Sequence, residues 1–143
     1  MELPFKIVVK SEEETEQVAK QFADILEAGN IIALNGNLGS GKTFFVKAIS
    51  NYWNYNDANS PTFSIVNEYL CDKKIYHFDF YRLNKIEELY DIGFEEYLMD
   101  DEAVTFIEWA EMIPEILPST YYEIKIVRLN DSERSIEILL NRS

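Results

Sequence analysis

The sequence predicts an α/β sandwich in which a central mixed β-sheet is flanked by helices. Short apolar runs typical of buried strands alternate along the chain with amphipathic helical stretches. Two stretches of alternating apolar residues near the end of the chain indicate an antiparallel pair. The chain has 143 residues, 47% of them apolar, with no internal repeat or linker. We therefore expect one domain over residues 1–143.

The first half of the chain predicts strand, helix, strand and helix. An apolar run at Phe5–Val9 predicts the first strand. Ser11 precedes Glu14 by three residues, which is the spacing of a capping box and predicts the start of the first helix. Residues 31–34 form a continuous apolar run, as in strands covered on both faces. The helix that follows has apolar residues along one side, namely Phe45, Ile49, Tyr52 and Trp53.

The second half of the chain predicts mostly strands. Residues 64–70 and 74–80 read as two strands joined by a tight turn. Asn84 is predicted to cap a helix that runs through Tyr90, and Gly93 separates this helix from a second helical stretch. Residues 103–107 are another buried strand. The alternating stretches 122–126 and 136–140 predict the closing antiparallel pair.

Composition excludes several classes of protein. The chain has 13 basic and 26 acidic residues, a net charge of −13, so we do not expect direct binding of nucleic acid. Cys71 is the one cysteine and His77 the one histidine, so neither an internal disulfide nor a zinc module is expected. No run approaches the ~20 apolar residues that span a bilayer, and no signal-peptide pattern is present. We expect a cytoplasmic protein.

The strongest motif is G-N-L-G-S-G-K-T at residues 36–43, which matches the phosphate-binding pattern G-x-x-x-x-G-K-[ST]. Its glycines let backbone N–H groups turn toward a polyphosphate, and the next helix adds its positive end. Lys42 is expected to reach the β- and γ-phosphates, and Thr43 to bind Mg²⁺. The candidate nucleotide-binding residues are Asn37, Leu38, Gly39, Ser40, Gly41, Lys42, Thr43 and Phe44.

The sequence indicates less clearly which nucleotide base the protein binds. Residues 84–87, N-K-I-E, are similar to the N-K-x-D element that reads guanine in GTPases. However, Glu replaces Asp, and the four residues begin a predicted helix. The capping interpretation of Asn84 is favoured, so we expect ATP.

Three further residues are candidates for catalysis. Glu108 ends the apolar strand that contains residues 104–107, and it is expected to organise Mg²⁺ because ligands of open α/β sheets collect at the carboxyl ends of strands. Asp79 shares a strand face with His77, and its catalytic role and a structural pairing with Arg82 are equally favoured. Thr62 lies in S-P-T-F at residues 60–63, where switch-type NTPases place a threonine near Mg²⁺ or the γ-phosphate. On these residues alone an ordinary loop is favoured, because Pro61 restricts Ser60 to extended geometry.

Four motifs, taken together, resemble the TsaE (YjeE) family. They are G-N-L-G-S-G-K-T at 36–43, S-P-T-F at 60–63, H-F-D-F-Y-R-L at 77–83 and E-W at 108–109. These proteins are small P-loop ATPases of bacterial tRNA threonylcarbamoyladenosine synthesis. The resemblance implies a P-loop NTPase-like fold with ATP and Mg²⁺, and metal-linked roles for Thr43, Asp79 and Glu108. It places Lys42, Asp79, Glu108 and Thr62 in catalysis and Trp109 beside the nucleotide. Asn37 and Phe44 depart from the residues frequent in the family, and Ser11 and Arg134 are candidates for base contact.

The resemblance also implies partners, the TsaB and TsaD proteins. These modify adenosine 37 of tRNAs that read codons beginning with A, and tRNA would bind through that complex, not directly to this acidic chain. Residues 84–115 carry eleven acidic residues and one basic residue, and we expect them to steer the chain toward a basic partner surface. A small-molecule kinase remains an alternative, although the scattered arginines do not form a lid. A noncatalytic nucleotide-binding adaptor is the other.

Overall fold

The computed structural model describes residues 1–37, 39–55 and 65–142. Its strands are β1 Phe5–Val9, β2 Ile31–Asn35, β3 Val66–Tyr69, β4 Lys74–Asp79, β5 Ala103–Glu108, β6 Thr120–Arg128 and β7 Arg134–Arg142. Its α-helices are α1 Glu12–Ile25, α2 Lys42–Tyr52, α3 Glu87–Asp91 and α4 Phe94–Leu98. Single turns of 3₁₀-helix occur at Phe80–Arg82, Ala110–Met112 and Pro114–Ile116. No helix in these described ranges is long and apolar enough to cross a membrane.

The strands form one mixed sheet with the order β1-β7-β6-β2-β5-β4-β3. The four central strands β6, β2, β5 and β4 are parallel, whereas β7, β1 and β3 pair antiparallel toward the two edges. The carboxyl ends of β2, β5 and β4 therefore lie together at one edge of the sheet. Ligands of open α/β sheets bind at such an edge.

Both faces of the central strands are covered, which explains the continuous apolar runs. Ile32, Leu34 and Phe106 belong to the core that packs against α1 and α2. Ala33 and Ile107, their neighbours in the strands, belong to a second core with α3 and α4. Successive strand residues point to opposite faces, so each strand contributes to both cores.

The predicted bounds of the β3 and β4 strands change in the structure. The predicted strand 74–80 ends at Asp79, because the Asp79 carboxylate accepts a hydrogen bond from the Tyr81 N–H group and begins a 3₁₀ turn with Phe80. The strand predicted at 64–70 is observed at Val66–Tyr69. Residue 64 lies outside the described residues.

The prediction that Asn84 caps a helix is wrong. Helix α3 begins at Glu87, and Ile86 occupies its N-cap without a side-chain hydrogen bond. The Lys85 carbonyl accepts a hydrogen bond from the Glu88 N–H group at 3.2 Å. A backbone turn therefore starts this short helix, and the side chain of Asn84 is not used for capping.

Candidate functional site

The glycine-bearing loop connects the end of β2 to the start of α2. A Cβ atom on Gly36 would lie 2.2 Å from the Ile126 carbonyl oxygen, so Gly36 is required by the close approach of β6. Gly41 occupies the N-cap of α2 with a φ of 107°, in the left-handed region. A Cβ atom on Gly39 or Gly41 would meet nothing within 4 Å. These two glycines therefore border open space at the amino end of α2, where a phosphate can approach.

Lys42 is folded back onto the loop. Its ammonium donates a hydrogen bond to the Gly36 carbonyl at 2.6 Å and lies 3.6 Å from the centre of the Trp109 ring. The residue is 5% exposed. Burial lowers the pKa of the ammonium, and the charges of Glu108, Glu111 and Asp79 oppose that shift. Lys42 is therefore held between the loop and Trp109 at the mouth of the open space.

Glu108 is the last residue of β5, as predicted, and contacts the first turn of α2. The Thr43 hydroxyl donates a hydrogen bond to Glu108 Oε2 at 2.9 Å. Burial by itself raises the pKa of Glu108. The opposing effects are larger and leave the pKa below its ordinary value: hydrogen bonds from His77 and Thr43, and the charges of His77 and Lys42. Glu108 is therefore a buried carboxylate that remains ionised.

Asp79 ends β4 beside Glu108, because the two residues are paired in the parallel register of β4 and β5. Its carboxylate accepts a hydrogen bond from Arg82 Nε at 3.2 Å as well as the one from Tyr81. The predicted structural pairing with Arg82 is therefore present. Asp79 also lines the same cavity as Lys42, so the structure is compatible with both roles that the sequence left open.

Two adjoining cavities meet at this loop. The P-loop cavity, of about 310 Å³, is lined by Gly39, Ser40, Gly41, Lys42, Thr43, Phe44, Asp79, Tyr81, Glu108 and Trp109. The adjoining cavity, of about 350 Å³, is lined by Lys10, Ser11, Glu12, Thr15, Ser40, Gly41, Phe44, Ile126, Asp131, Ser132 and Arg134. Arg134 Nε donates a hydrogen bond to the Ser40 carbonyl at 3.1 Å. The structure thus brings Ser11 and Arg134, predicted from opposite ends of the chain, to the loop.

Comparison with known proteins identifies the family. A family model described as "Threonylcarbamoyl adenosine biosynthesis protein TsaE" matches residues 9–136. The chain belongs to the TsaE family. A TsaE protein from Rickettsia bellii is 42% identical over 134 residues, covering 92% of each chain. A TsaE protein from Bacillus subtilis is 39% identical over 126 residues, covering 87% of this chain and 78% of that protein.

A solved structure agrees with the TsaE assignment. The crystal structure of Bacillus subtilis YdiB superposes with a TM-score of 0.79 at 31% identity, covering 100% of this chain and 88% of that one. The predicted α/β sandwich with a central mixed sheet is therefore confirmed, as is the resemblance to TsaE.

The side chains at the TsaE-family loop fit a nucleotide with a metal ion. Ser40 Oγ is buried without a hydrogen-bond partner among the described residues. Thr43, Asp79 and Glu108 offer one hydroxyl and two carboxylates on adjacent elements. Across the described ranges, no three His, Cys, Asp or Glu side chains form a metal site. Mg²⁺ is commonly held by one or two carboxylates together with substrate phosphates, so this donor set suits it.

One predicted residue lines neither cavity, and two others lie outside the described residues. Leu38 and Thr62 lie outside the described residues, so their roles stay predictions. Asn37 is exposed and lines neither of the two cavities, although its carbonyl accepts the Ser40 N–H group within the loop turn.

Sequence reasoning missed two contributors. Tyr81 lines the P-loop cavity, and its ring lies 5.1 Å from that of Trp109. His77, which the sequence analysis placed on a strand face with Asp79 without assigning it a role, contacts Glu108. The placement of His77 on the same strand face as Asp79 was the signal in the sequence that could have predicted the contact between His77 and Glu108.

Proposed function

We propose that this TsaE-family chain, acting as one domain over residues 1–143, binds ATP with Mg²⁺ and hydrolyses it. Family membership supports a role in tRNA threonylcarbamoyladenosine biosynthesis, the process named in its relatives. The observation that carries the ATPase proposal is the hydrogen bond between Thr43 and the buried carboxylate of Glu108, beside Lys42. P-loop enzymes use a lysine, a serine or threonine and a carboxylate near the metal to act on a terminal phosphate.

The phosphates are proposed to occupy the P-loop cavity and the nucleoside the adjoining one. In the described structure the Lys42 ammonium donates a hydrogen bond to the Gly36 carbonyl and makes a cation–π contact with the Trp109 ring. A phosphate oxygen is a stronger partner, because the hydrogen bond is then assisted by charge on both sides. Lys42 is therefore expected to leave Gly36 and reach the β- and γ-phosphates. Ser11 and Arg134 flank the space left for the base and ribose.

Thr43, Glu108 and Asp79 would hold the metal. Bound Mg²⁺ would supply positive charge that offsets the negative charge developing during phosphoryl transfer. Thr43 donates its hydroxyl hydrogen to Glu108, which leaves the oxygen lone pairs available to a cation. The lowered pKa keeps Glu108 ionised for this role.

We further propose that the chain works with the TsaB and TsaD proteins, through which tRNA is bound. The modified base would be adenosine 37 of tRNAs that read codons beginning with A. The net charge of −13 supports this division of labour, because it disfavours direct contact with an RNA backbone.

The test is release of phosphate from ATP by the chain alone and with TsaB and TsaD, in the presence of Mg²⁺. Hydrolysis in either condition supports the proposal. Nucleotide binding without hydrolysis in both would favour a noncatalytic adaptor. Transfer of the phosphate to a small molecule, detected in a screen of acceptors, would favour a kinase.

Lys42→Ala is expected to lower ATP affinity by about 10- to 100-fold, because a hydrogen bond to a charged group contributes about 1.5–3 kcal/mol. The fold should be retained, since Lys42 contacts the loop and the Trp109 ring and belongs to neither apolar core. Titration calorimetry measures the affinity, and circular dichroism the fold. Lys6→Ala, on the exposed side of β1, is the matched control. Unchanged ATP affinity in the Lys42 variant would overturn the assignment of the phosphate site.

A further inference from the structure

His77 is a buried side chain that the proposed mechanism does not use. It lies on β4 and is 4% exposed. Its Nε2 atom contacts Glu108 Oε2, and its Nδ1 atom lies 3.2 Å from the hydroxyl of Tyr69 on β3. Tyr69 is also buried, at 2% exposure. A continuous chain of contacts therefore runs from Tyr69 through His77 to the proposed metal-linked carboxylate.

We propose that His77, supported by Tyr69, is a positioning residue that holds the Glu108 carboxylate in the orientation needed for the Mg²⁺ site. The inference deepens the proposed function and depends on it. Residues that orient metal-linked carboxylates through hydrogen bonds commonly change metal affinity or activity by about 10- to 100-fold when they are replaced.

The hydrogen-bonding capacity of each group sets the direction of the contacts. An ionised carboxylate only accepts hydrogen bonds, so Nε2 of His77 must carry the hydrogen that points to Glu108. The Tyr69 hydroxyl then donates to a neutral ring, or accepts from a protonated one. Both hydrogen bonds of His77, to Glu108 and to Tyr69, can form in either case, so the positioning role is independent of the charge of His77.

The geometry at Glu108 explains why a second donor is needed. Thr43 and His77 both donate to the same oxygen, Oε2, from different elements of the fold. Thr43 alone would hold this oxygen from one element, whereas two donors, one on α2 and one on β4, restrain its position from two sides. Glu108 is 4% exposed, so loss of one donor leaves a buried carboxylate with fewer hydrogen bonds.

Tyr69 completes the support. Burial, with a smaller contribution from the charge of Glu108, raises the pKa of Tyr69 to about 12, so its hydroxyl keeps its hydrogen. Its ring packs edge-on against Tyr55 at 5.1 Å, which limits its movement. The hydroxyl is therefore available at a fixed position to hold the His77 ring.

The test compares His77→Leu and His77→Gln with the parental chain. Binding of ATP is measured by titration calorimetry across a Mg²⁺ series, and hydrolysis is measured under the same conditions. His77→Leu is expected to raise the half-saturating Mg²⁺ concentration by about 10-fold or more and to lower kcat. Affinity for ATP without Mg²⁺ should stay at the parental value. His77→Gln should restore part of the Mg²⁺ response, since its amide can donate from a position near that of Nε2.

A matched pair of tyrosine variants provides the control. Tyr69→Phe removes the hydroxyl that supports His77 and is expected to shift the Mg²⁺ response in the same direction, by less. Tyr76→Phe removes a hydroxyl from the opposite face of β4, where it donates to Asp100 at 2.6 Å. The Tyr76 variant should keep the parental Mg²⁺ response. If His77→Leu does not fold, the Tyr69→Phe and His77→Gln variants decide the question.

A parental Mg²⁺ response in His77→Leu would overturn the inference. So would equal losses of ATP affinity with and without Mg²⁺, because those indicate a purely structural role. If the parental chain binds Mg²⁺ and ATP but hydrolyses ATP neither alone nor with TsaB and TsaD, the ATPase proposal fails, while the calorimetric comparison still tests His77. The two failures are therefore distinguishable.

Discussion

Thr43 and Glu108 connect the first turn of α2 to the end of β5 through one hydrogen bond. The two residues are far apart in the chain, and the contact depends on the parallel pairing of β2 with β5, which brings Glu108 opposite Leu34. At the scale of single residues, the proposed chemistry therefore depends on side chains that the sheet places next to the P-loop.

Thr43→Ala and Glu108→Ala are each expected to impair Mg²⁺-dependent hydrolysis more than nucleotide binding. Loss of one organised electrostatic contact commonly lowers the rate by about 10²- to 10³-fold. Steady-state phosphate release, with ATP affinity from calorimetry, separates the two effects. Glu115→Ala, on an exposed turn, is the control. Hydrolysis at the parental rate by the Glu108 variant would mean that another residue is the metal-linked acid.

At the scale of elements, Asp100 joins the end of α4 to β4. Its carboxylate lies 2.8 Å from Lys74 Nζ and accepts a hydrogen bond from the Tyr76 hydroxyl at 2.6 Å. The hydrogen bonds from Lys74, Tyr76 and the Glu102 N–H group lower the pKa of Asp100 from 3.8 to about 2. Because this pKa is lower in the folded chain than in the unfolded one, ionised Asp100 stabilises the fold above about pH 4. That contribution is lost as the pH falls toward 2.

Asp100→Asn is expected to lower the urea midpoint of unfolding at pH 7, with a difference from the parental chain that shrinks as the pH approaches 2. Asp101→Asn, at the exposed neighbouring position, should have no comparable effect. Urea titrations at several pH values measure both. A midpoint difference that is the same at pH 7 and pH 2 would show that ionisation of Asp100 does not contribute.

At the scale of the whole molecule, charge is unevenly distributed. Residues 84–115 carry eleven acidic residues and one basic residue, most of the net charge of −13. The structure shows that these acids are not equivalent, because Asp100 is paired with Lys74 and Glu108 is buried. Glu95, Glu96, Asp101 and Glu102 are exposed and remain candidates for steering.

Replacement of these four exposed acids by their amides is expected to slow association with the proposed TsaB–TsaD partner and to flatten its salt dependence. Charges at the rim of an interface act mainly on the association rate, and that effect is screened by salt. ATP affinity should not change, which serves as the internal control. Surface plasmon resonance across a salt series measures the rates. If the variant associates at the parental rate at every salt concentration, the acidic segment is only a solvated surface.

Much of the site could be predicted because its signals are local. The P-loop motif lies within eight consecutive residues, and Glu108 directly follows a continuous apolar run within the same strand. The Asn84 prediction was wrong because capping preference describes an average, whereas this short helix begins with a backbone hydrogen bond from Glu88 to Lys85. The exact ends of elements depend on such contacts, which residue type alone does not specify.

The sequence by itself determined the alternation of strands and helices, the P-loop motif and the position of Glu108 at a strand end. These features depend on side-chain periodicity and on motifs of contiguous residues. Only the tertiary structure decided that Ser11 and Arg134 reach the loop, that Lys42 lies against Trp109, and that His77 contacts Glu108. Those contacts follow from the order and register of strands, which arise when distant segments pack together and which periodicity within one segment does not encode.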